Sequence, residues 1–189
     1  MKKIFVATVS MMFLCTVASA AEISANDRSR LDRIQQSLAN DVPRVLCLDD
    51  SFSTGGQPTT RAYAKVAASG FHSVLSLRVA NEGVDLFRER AFVEQNKMRY
   101  FNIPVVSSAP RAEQADEFIR LVKNPSNHPM LINCASANRV GAFMMIYRVL
   151  EQHWSEGKAL EEAVKIGLTG ENLKKFAQDY IARHKQKRG

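Results

Sequence analysis

The chain has 189 residues, 46% of them hydrophobic and 24% charged, a balance too apolar for a disordered segment and the right length for one folded unit with a core of its own. The net charge of +7 comes with no aromatic-basic interleaving and no reader motif, so it excludes a nucleic-acid partner rather than suggesting one. Four of the positive residues, Arg183, Lys185, Lys187 and Arg188, crowd the C-terminal end, where a helix dipole favours them.

Met1, Lys2 and Lys3 precede an uncharged apolar run over residues 4–17, which ends in Ala18-Ser19-Ala20-Ala21. This is the pattern of a secretory signal cut after Ala20 or Ala21. The run is short for a bilayer span, and Met12 and Leu14 beside Cys15 do not fit a lipid-attachment site. Residues 1–20 are therefore read as signal and 21–189 as a single domain, periplasmic or secreted, with no membrane contact after cleavage. Loss of Lys2 and Lys3 lowers the charge from +7 to +5, and Cys15 leaves with the signal, so only Cys47 and Cys134 remain.

The mature chain opens polar, with a helix near residues 30–38, and Pro43 introduces a short strand over 44–48. Residues 49–57 read as a turn-rich loop, and Pro58, Thr59 and Thr60 open a helix that Gly70 closes. A strand follows at 73–77, then an amphipathic helix over 82–95 with Val84, Phe87, Ala91 and Phe92 near helical spacing, then a strand at 100–104. The helix over 111–123 places Ala115, Phe118, Ile119 and Val122 on one face. Strand 130–133 leads through a tight loop to helices at 140–154, 158–168 and 171–185. Alternating strands and crossover helices predict an α/β fold in three layers: a mostly parallel central sheet of four to five strands flanked by helices. Such sheets bind ligands beyond the carboxyl ends of their strands.

That is where Asn133-Cys134-Ala135-Ser136-Ala137-Asn138-Arg139-Val140-Gly141 lies. A tight curl between strand and helix can aim the N–H groups of residues 135–139 inward as an anion nest, reinforced by the positive end of the helix. Both effects favour an accessible thiolate at Cys134 and hold an oxyanion before it, and the fork of Arg139 can grip two of its oxygens. The arrangement suits phosphoryl transfer or sulfane-sulfur transfer. The plainer alternative is a buried structural cysteine at a strand end.

Four ordered segments resemble one family: Thr54-Gly55-Gly56-Gln57-Pro58-Thr59, the stretch from Gly70 to Arg78, the strand near Tyr100, and the Cys134 loop. Over residues 52–150 the chain is similar to the bacterial phosphatase-like domains of beta-lactamase-hydrolase-like proteins, within the dual-specificity and tyrosine phosphatase superfamily. The resemblance implies a hydrolase using Cys134 and Arg139 on a small or protein-borne phosphate ester, with Ala135, Ser136, Ala137, Asn138, Arg139 and Gln57 around the anion. No nucleotide or metal motif appears in the sequence, so no cofactor and no metal are expected.

The departures from the superfamily pattern are specific. Asn133 stands for histidine, Ala137 for glycine and Val140 for serine or threonine, and four residues rather than five separate Cys134 from Arg139. The shorter spacing is similar to that of rhodanese-type sulfurtransferases, which carry a persulfide on cysteine. No carboxylate occurs in residues 105–110, where these phosphatases keep their general acid, so the acid is unassigned. Asp49 and Asp50 read as turn residues, Glu113 and Asp116 as solvent-facing at a helix start. His72 reads as a surface residue, and Arg78 either adds positive potential to the cleft or pairs with a carboxylate. Cys47, on a strand expected beside that of Cys134, offers a reversible disulfide or a second isolated thiol. Three functions stay open: a phosphatase-like hydrolase, a sulfurtransferase, and a weakly active anion-binding or protein-interaction module.

Overall fold

The computed structural model describes residues 24–186. The expected signal segment, residues 1–20, lies outside them, as do Lys187 and Arg188. Seven helices and five strands follow the order α1 (Ala25–Leu38), β1 (Leu46–Cys47), β2 (Phe52–Gly55), α2 (Ala62–Ala68), β3 (Ser73–Ser76), α3 (Leu86–Gln95), β4 (Arg99–Asn102), α4 (Ala112–Val122), β5 (Met130–Asn133), α5 (Asn138–Leu150), α6 (Glu156–Ile166) and α7 (Glu171–Gln186). Short 3-10 turns occupy Ala80–Glu82 and Pro125–Asn127.

The strands form one sheet in the order β1-β2-β5-β3-β4, parallel except for the β1–β2 pair. Alternation along β5 divides the core. Leu131 joins Val74, Tyr100, Tyr63 and Val93 under α1–α3, whereas Met130, Ile132 and Cys134 face the larger cluster under α4–α7. Every residue of α5 from Arg139 to Leu150 is buried, which explains why its sequence, Arg139 and Arg148 apart, is apolar all round rather than striped. Gly141 makes that burial possible: a Cβ there would stand 2.6 Å from the Ala163 carbonyl oxygen of α6.

Several boundaries differ from the sequence expectation. Within the expected loop 49–57, residues Phe52–Gly55 form β2, a fully buried strand between β1 and β5; serine, threonine and glycine mask a strand whose neighbours lie far away in sequence. The strand expected over 44–48 is reduced to Leu46–Cys47. Helix α3 begins at Leu86, where the Asp85 carboxylate caps the Arg88 N–H, and it buries Glu89 and Val93 while Phe87 is 86% exposed. The expected apolar face through Phe87 and Ala91 thus points away from the core. Helix α5 starts at Asn138 and ends at Leu150, ahead of Trp154. Cys47 does not neighbour the Cys134 strand, because β2 lies between them. Cys47 pairs with Ser53, and Ser53 with Leu131, three residues before Cys134. Two strand spacings of about 4.8 Å and three rises of about 3.3 Å exceed disulfide reach, and both thiols are free.

Candidate active site

The terminal row of the sheet aligns Gly55, Asn133 and Ser76 at the carboxyl ends of β2, β5 and β3. Cys134 leaves this row with its N–H bonded to the Gly55 carbonyl at 3.3 Å. Gly55 and Gly56 are required by close approach: a Cβ on Gly55 would meet Val42 at 2.5 Å, and one on Gly56 would meet the Ala135 carbonyl at 2.9 Å. Gln57 then donates its N–H to the same Ala135 carbonyl at 3.2 Å. The Gly-Gly-Gln segment is thereby a wall against which the cysteine loop rests.

The loop turns into α5 through Ala137, in the left-handed region at φ 66°, ψ 0°. This conformation closes the loop in four residues and is the one glycine adopts without penalty. The first helical bond runs from the Gly141 N–H to the Ala137 carbonyl, so the N–H groups of Asn138, Arg139 and Val140 have no intrahelical acceptor. They form the positive end of α5 beside Cys134.

Cys134 is 1% exposed and packs with Ile132 and Val140. The expected open thiol is instead a sulfur at the base of a cradle, while Ala135 and Ser136 are exposed on its rim. Arg139, 2% exposed, lies beside it. Its Nη1 donates to the carbonyls of Leu77 (3.0 Å) and Val105 (2.7 Å) and to Glu82 Oε1 (2.9 Å), and Nη2 donates to Glu82 Oε2 (2.8 Å). Burial works against the guanidinium charge, but Glu82 and the sulfur of Cys134 outweigh it, and the charge is held more firmly than usual. A guanidinium has five N–H groups. Glu82 takes the end-on pair, and the remaining N–H groups, Nε–H and the second Nη2–H on the side-on edge, are left for the sulfur of Cys134, which also bonds to this guanidinium.

Glu82 was hidden from the sequence reading as an ordinary helix residue. It sits in the turn after β3 and also accepts from Arg78 Nε at 2.5 Å. Burial raises its carboxyl, the two guanidinium groups pull it down further, and the net position is below the usual carboxylate range. It is a fixed anion. One signal was available: an acid just beyond a strand ending in Leu77-Arg78, at the sheet edge where ligands bind.

The other candidates separate clearly. Gln57 Oε1 accepts from Arg78 Nη1 at 3.0 Å and its side chain also bonds to Glu89, so it is held between these two groups. Arg78 is 7% exposed, paired with Glu82 and Gln57 at the edge of the site. The Asn138 side-chain oxygen accepts from the N–H groups of Thr169 (3.0 Å) and Gly170 (3.2 Å), which ties the start of α5 to the loop before α7. Asp49 makes an Asx turn to the N–H groups of Ser51 and Phe52 and also pairs with Arg148; Asp50 pairs with Arg30. Asp116 accepts from the Tyr180 hydroxyl, Glu113 lies exposed beside Arg111, and His72 is exposed. None of these carboxylates reaches the loop.

Cys134 thus follows the end of a central parallel strand, and Arg139 opens the next helix after an interval of four residues. The family model for a DSP-PTPase phosphatase fused to NAD+ kinase matches residues 25–186. The chain belongs to that family. Its fold is similar to solved structures of a DUF442 protein from Shewanella putrefaciens CN-32 (17% identity, 79% of this chain and 95% of that one, TM-score 0.66) and of TpbA from P. aeruginosa (20%, 75% and 84%, 0.59). The core catalytic domain of the PP-IP phosphatase SIW14 from S. cerevisiae is similar as well (17%, 78% and 94%, 0.64). A comparison with curated proteins found no match. Membership of the DSP-PTPase family accords with the five-stranded, mostly parallel sheet, and no helix among the described residues is long and apolar enough to cross a membrane.

Proposed function

We propose that this DSP-PTPase family member is a cysteine-dependent phosphatase-like hydrolase, with Cys134 as nucleophile and Arg139 as the anion clamp. One observation carries the assignment of roles: Glu82 and two carbonyls hold the end-on edge of the Arg139 guanidinium, which turns its remaining N–H groups to the Cys134 sulfur and to a phosphoryl group seated in front of it. The N–H groups of residues 135–139 are assigned the equatorial oxygens, where they stabilise charge as it develops.

In the first step the Cys134 thiolate attacks phosphorus, an S–P bond forms, and the P–O bond to the leaving group breaks. In the second, water attacks the phosphocysteine, inorganic phosphate is released and the thiolate returns. Among the described residues Glu82 is pinned by Arg139 and Arg78, and residues 105–110 hold no carboxylate, so the alkoxide or phenoxide takes its proton from solvent. Val140, with no hydroxyl, leaves the departing thiolate to the loop N–H groups alone.

The substrate is a small or protein-borne phosphate ester. TpbA has been solved in complex with pTyr, and a phosphotyrosyl group also supplies the good leaving oxygen that this site requires. Residues 1–20 are read as a signal that places the enzyme in the periplasm or outside the cell. The test is steady-state phosphate release from an aryl phosphate and a phosphotyrosyl peptide, with Cys134→Ser and Arg139→Ala beside the parent. Release abolished in both variants supports the assignment. Transfer of sulfur from thiosulfate to a thiol acceptor, with no phosphate release, would replace it.

A further inference from the structure

On the opposite face of the sheet from Cys134, directly beneath Asn133, lies a buried polar cluster that the hydrolysis steps do not use. Glu89 of α3 is 4% exposed. Its Oε1 accepts from the Tyr63 hydroxyl of α2 at 3.0 Å and faces Asn133 Nδ2 at 3.5 Å. Its other oxygen, Oε2, is buried without a hydrogen-bond partner, and so is Asn133 Oδ1. Both are acceptors when Glu89 is ionised, and two buried unpaired acceptors on adjoining groups are a costly arrangement. A single proton on Oε2 turns one of them into a donor. The carboxylic acid and the amide can then pair through both edges, Nδ2–H to Oε1 and Oε2–H to Oδ1.

Among the described residues no cation pairs with Glu89. Tyr63 faces it from α2, Gln57 from the wall segment, and Tyr100, whose hydroxyl is also buried without a close hydrogen bond, from β4. The nearest guanidinium groups are spent elsewhere, Arg78 on Gln57 and Glu82, Arg90 over the Tyr100 ring at 5.4 Å. Burial pushes the Glu89 carboxyl above its ordinary range, against the pull of Tyr63, Asn133, Gln57 and Tyr100. Asn133 is both the last residue of β5 and the residue before Cys134, so whatever fixes its side chain fixes the base of the loop.

We propose that Glu89, held as the neutral acid, is a positioning residue for Cys134, acting through an acid–amide pair with Asn133. This rests on Cys134 being the reactive group. Ionisation of Glu89 restores the facing acceptors, loosens Asn133 and places a negative charge below the loop, so the site weakens as pH rises through the raised Glu89 range.

The variant Glu89→Gln keeps shape and neutrality and donates from Nε2 to Asn133 Oδ1; Glu89→Ala removes the pair. The measurements are the infrared carbonyl band of a buried protonated carboxyl, the pH dependence of Cys134 alkylation, and the pH dependence of kcat/KM on an aryl phosphate. The parent should show the band and a falling limb in both pH profiles, and Glu89→Gln should lose both while staying within about twofold of the parent on the acid side. Glu89→Ala should slow both reactions by about tenfold or more through misplacement of the sulfur. No band in the parent, or the same pH dependence in the parent and Glu89→Gln, would overturn the proposal. The infrared and alkylation arms need no turnover, so they decide the role of Glu89 even if no phosphate ester is hydrolysed.

Discussion

Ala137 is the residue at which the loop is most plainly strained. Its φ of 66° puts a Cβ in the left-handed region, which for an L-residue costs roughly 1–2 kcal/mol, against roughly 0.4–1 kcal/mol of chain entropy that glycine would add to the unfolded state. Ala137→Gly should therefore raise stability by up to about 1 kcal/mol, read as a higher midpoint in thermal denaturation, with phosphatase activity retained. A lower midpoint would mean that the loop does not rest in this conformation. A second expectation concerns leaving groups. Glu82 is pinned by Arg139 and Arg78 and residues 105–110 contain no acid, so a proton must come from water. Rates across a series of aryl phosphates should rise steeply as the leaving phenol becomes more acidic; a flat series would reveal a general acid in place.

Among the elements, α2 is held to the end of α1 by Asp41. Its carboxylate, 1% exposed, accepts from Lys65 at 2.7 Å, Arg61 at 2.6 Å and Thr59 at 3.0 Å. Hydrogen bonds from Lys65 and Arg61 hold this carboxyl far below its ordinary range. A depressed folded-state value gives stability that is present above the unfolded carboxyl range and lost as pH falls toward the folded value. Asp41→Asn should thus destabilise at neutral pH and converge on the parent in strong acid; a constant difference across the acid range would refute the assignment. The same elements show how much was legible. β5 and β3 could be read because continuous apolar runs mark buried parallel strands, and the Cys134 loop because a strand and a helix bracket it. β2 was hidden because Ser53, Thr54 and Gly55 carry turn chemistry, and its strand state is imposed by β1 and β5. Glu82 and Glu89 were hidden for one reason: a helix expected from residue 82 makes both of them surface charges, and only the Asp85 cap moves the first outside α3 and the second to its buried face.

At the scale of the whole molecule, the site lies where the strand order reverses. β2 leads through α2 to β3 and β4, and β5 returns to the gap between β2 and β3, so the cradle opens at the crevice that parallel sheets reserve for ligands. The wholly buried α5 then anchors the Arg139 end of the loop in the core under α6 and α7. The reading of residues 1–20 as a signal makes a molecular-scale prediction: the protein recovered from the envelope of a bacterium expressing the full chain should begin at Ala21 or Glu22, by intact mass. A retained leader, or lipid on Cys15, would refute it. The most direct test of the hydrolase itself is intact mass after a brief exposure to an aryl phosphate and an acid quench. The parent should gain one phosphoryl group, mapped by peptide sequencing to Cys134, and release phosphate on longer incubation, while Cys134→Ser does neither. A folded parent that forms no adduct and releases no phosphate would contradict the account.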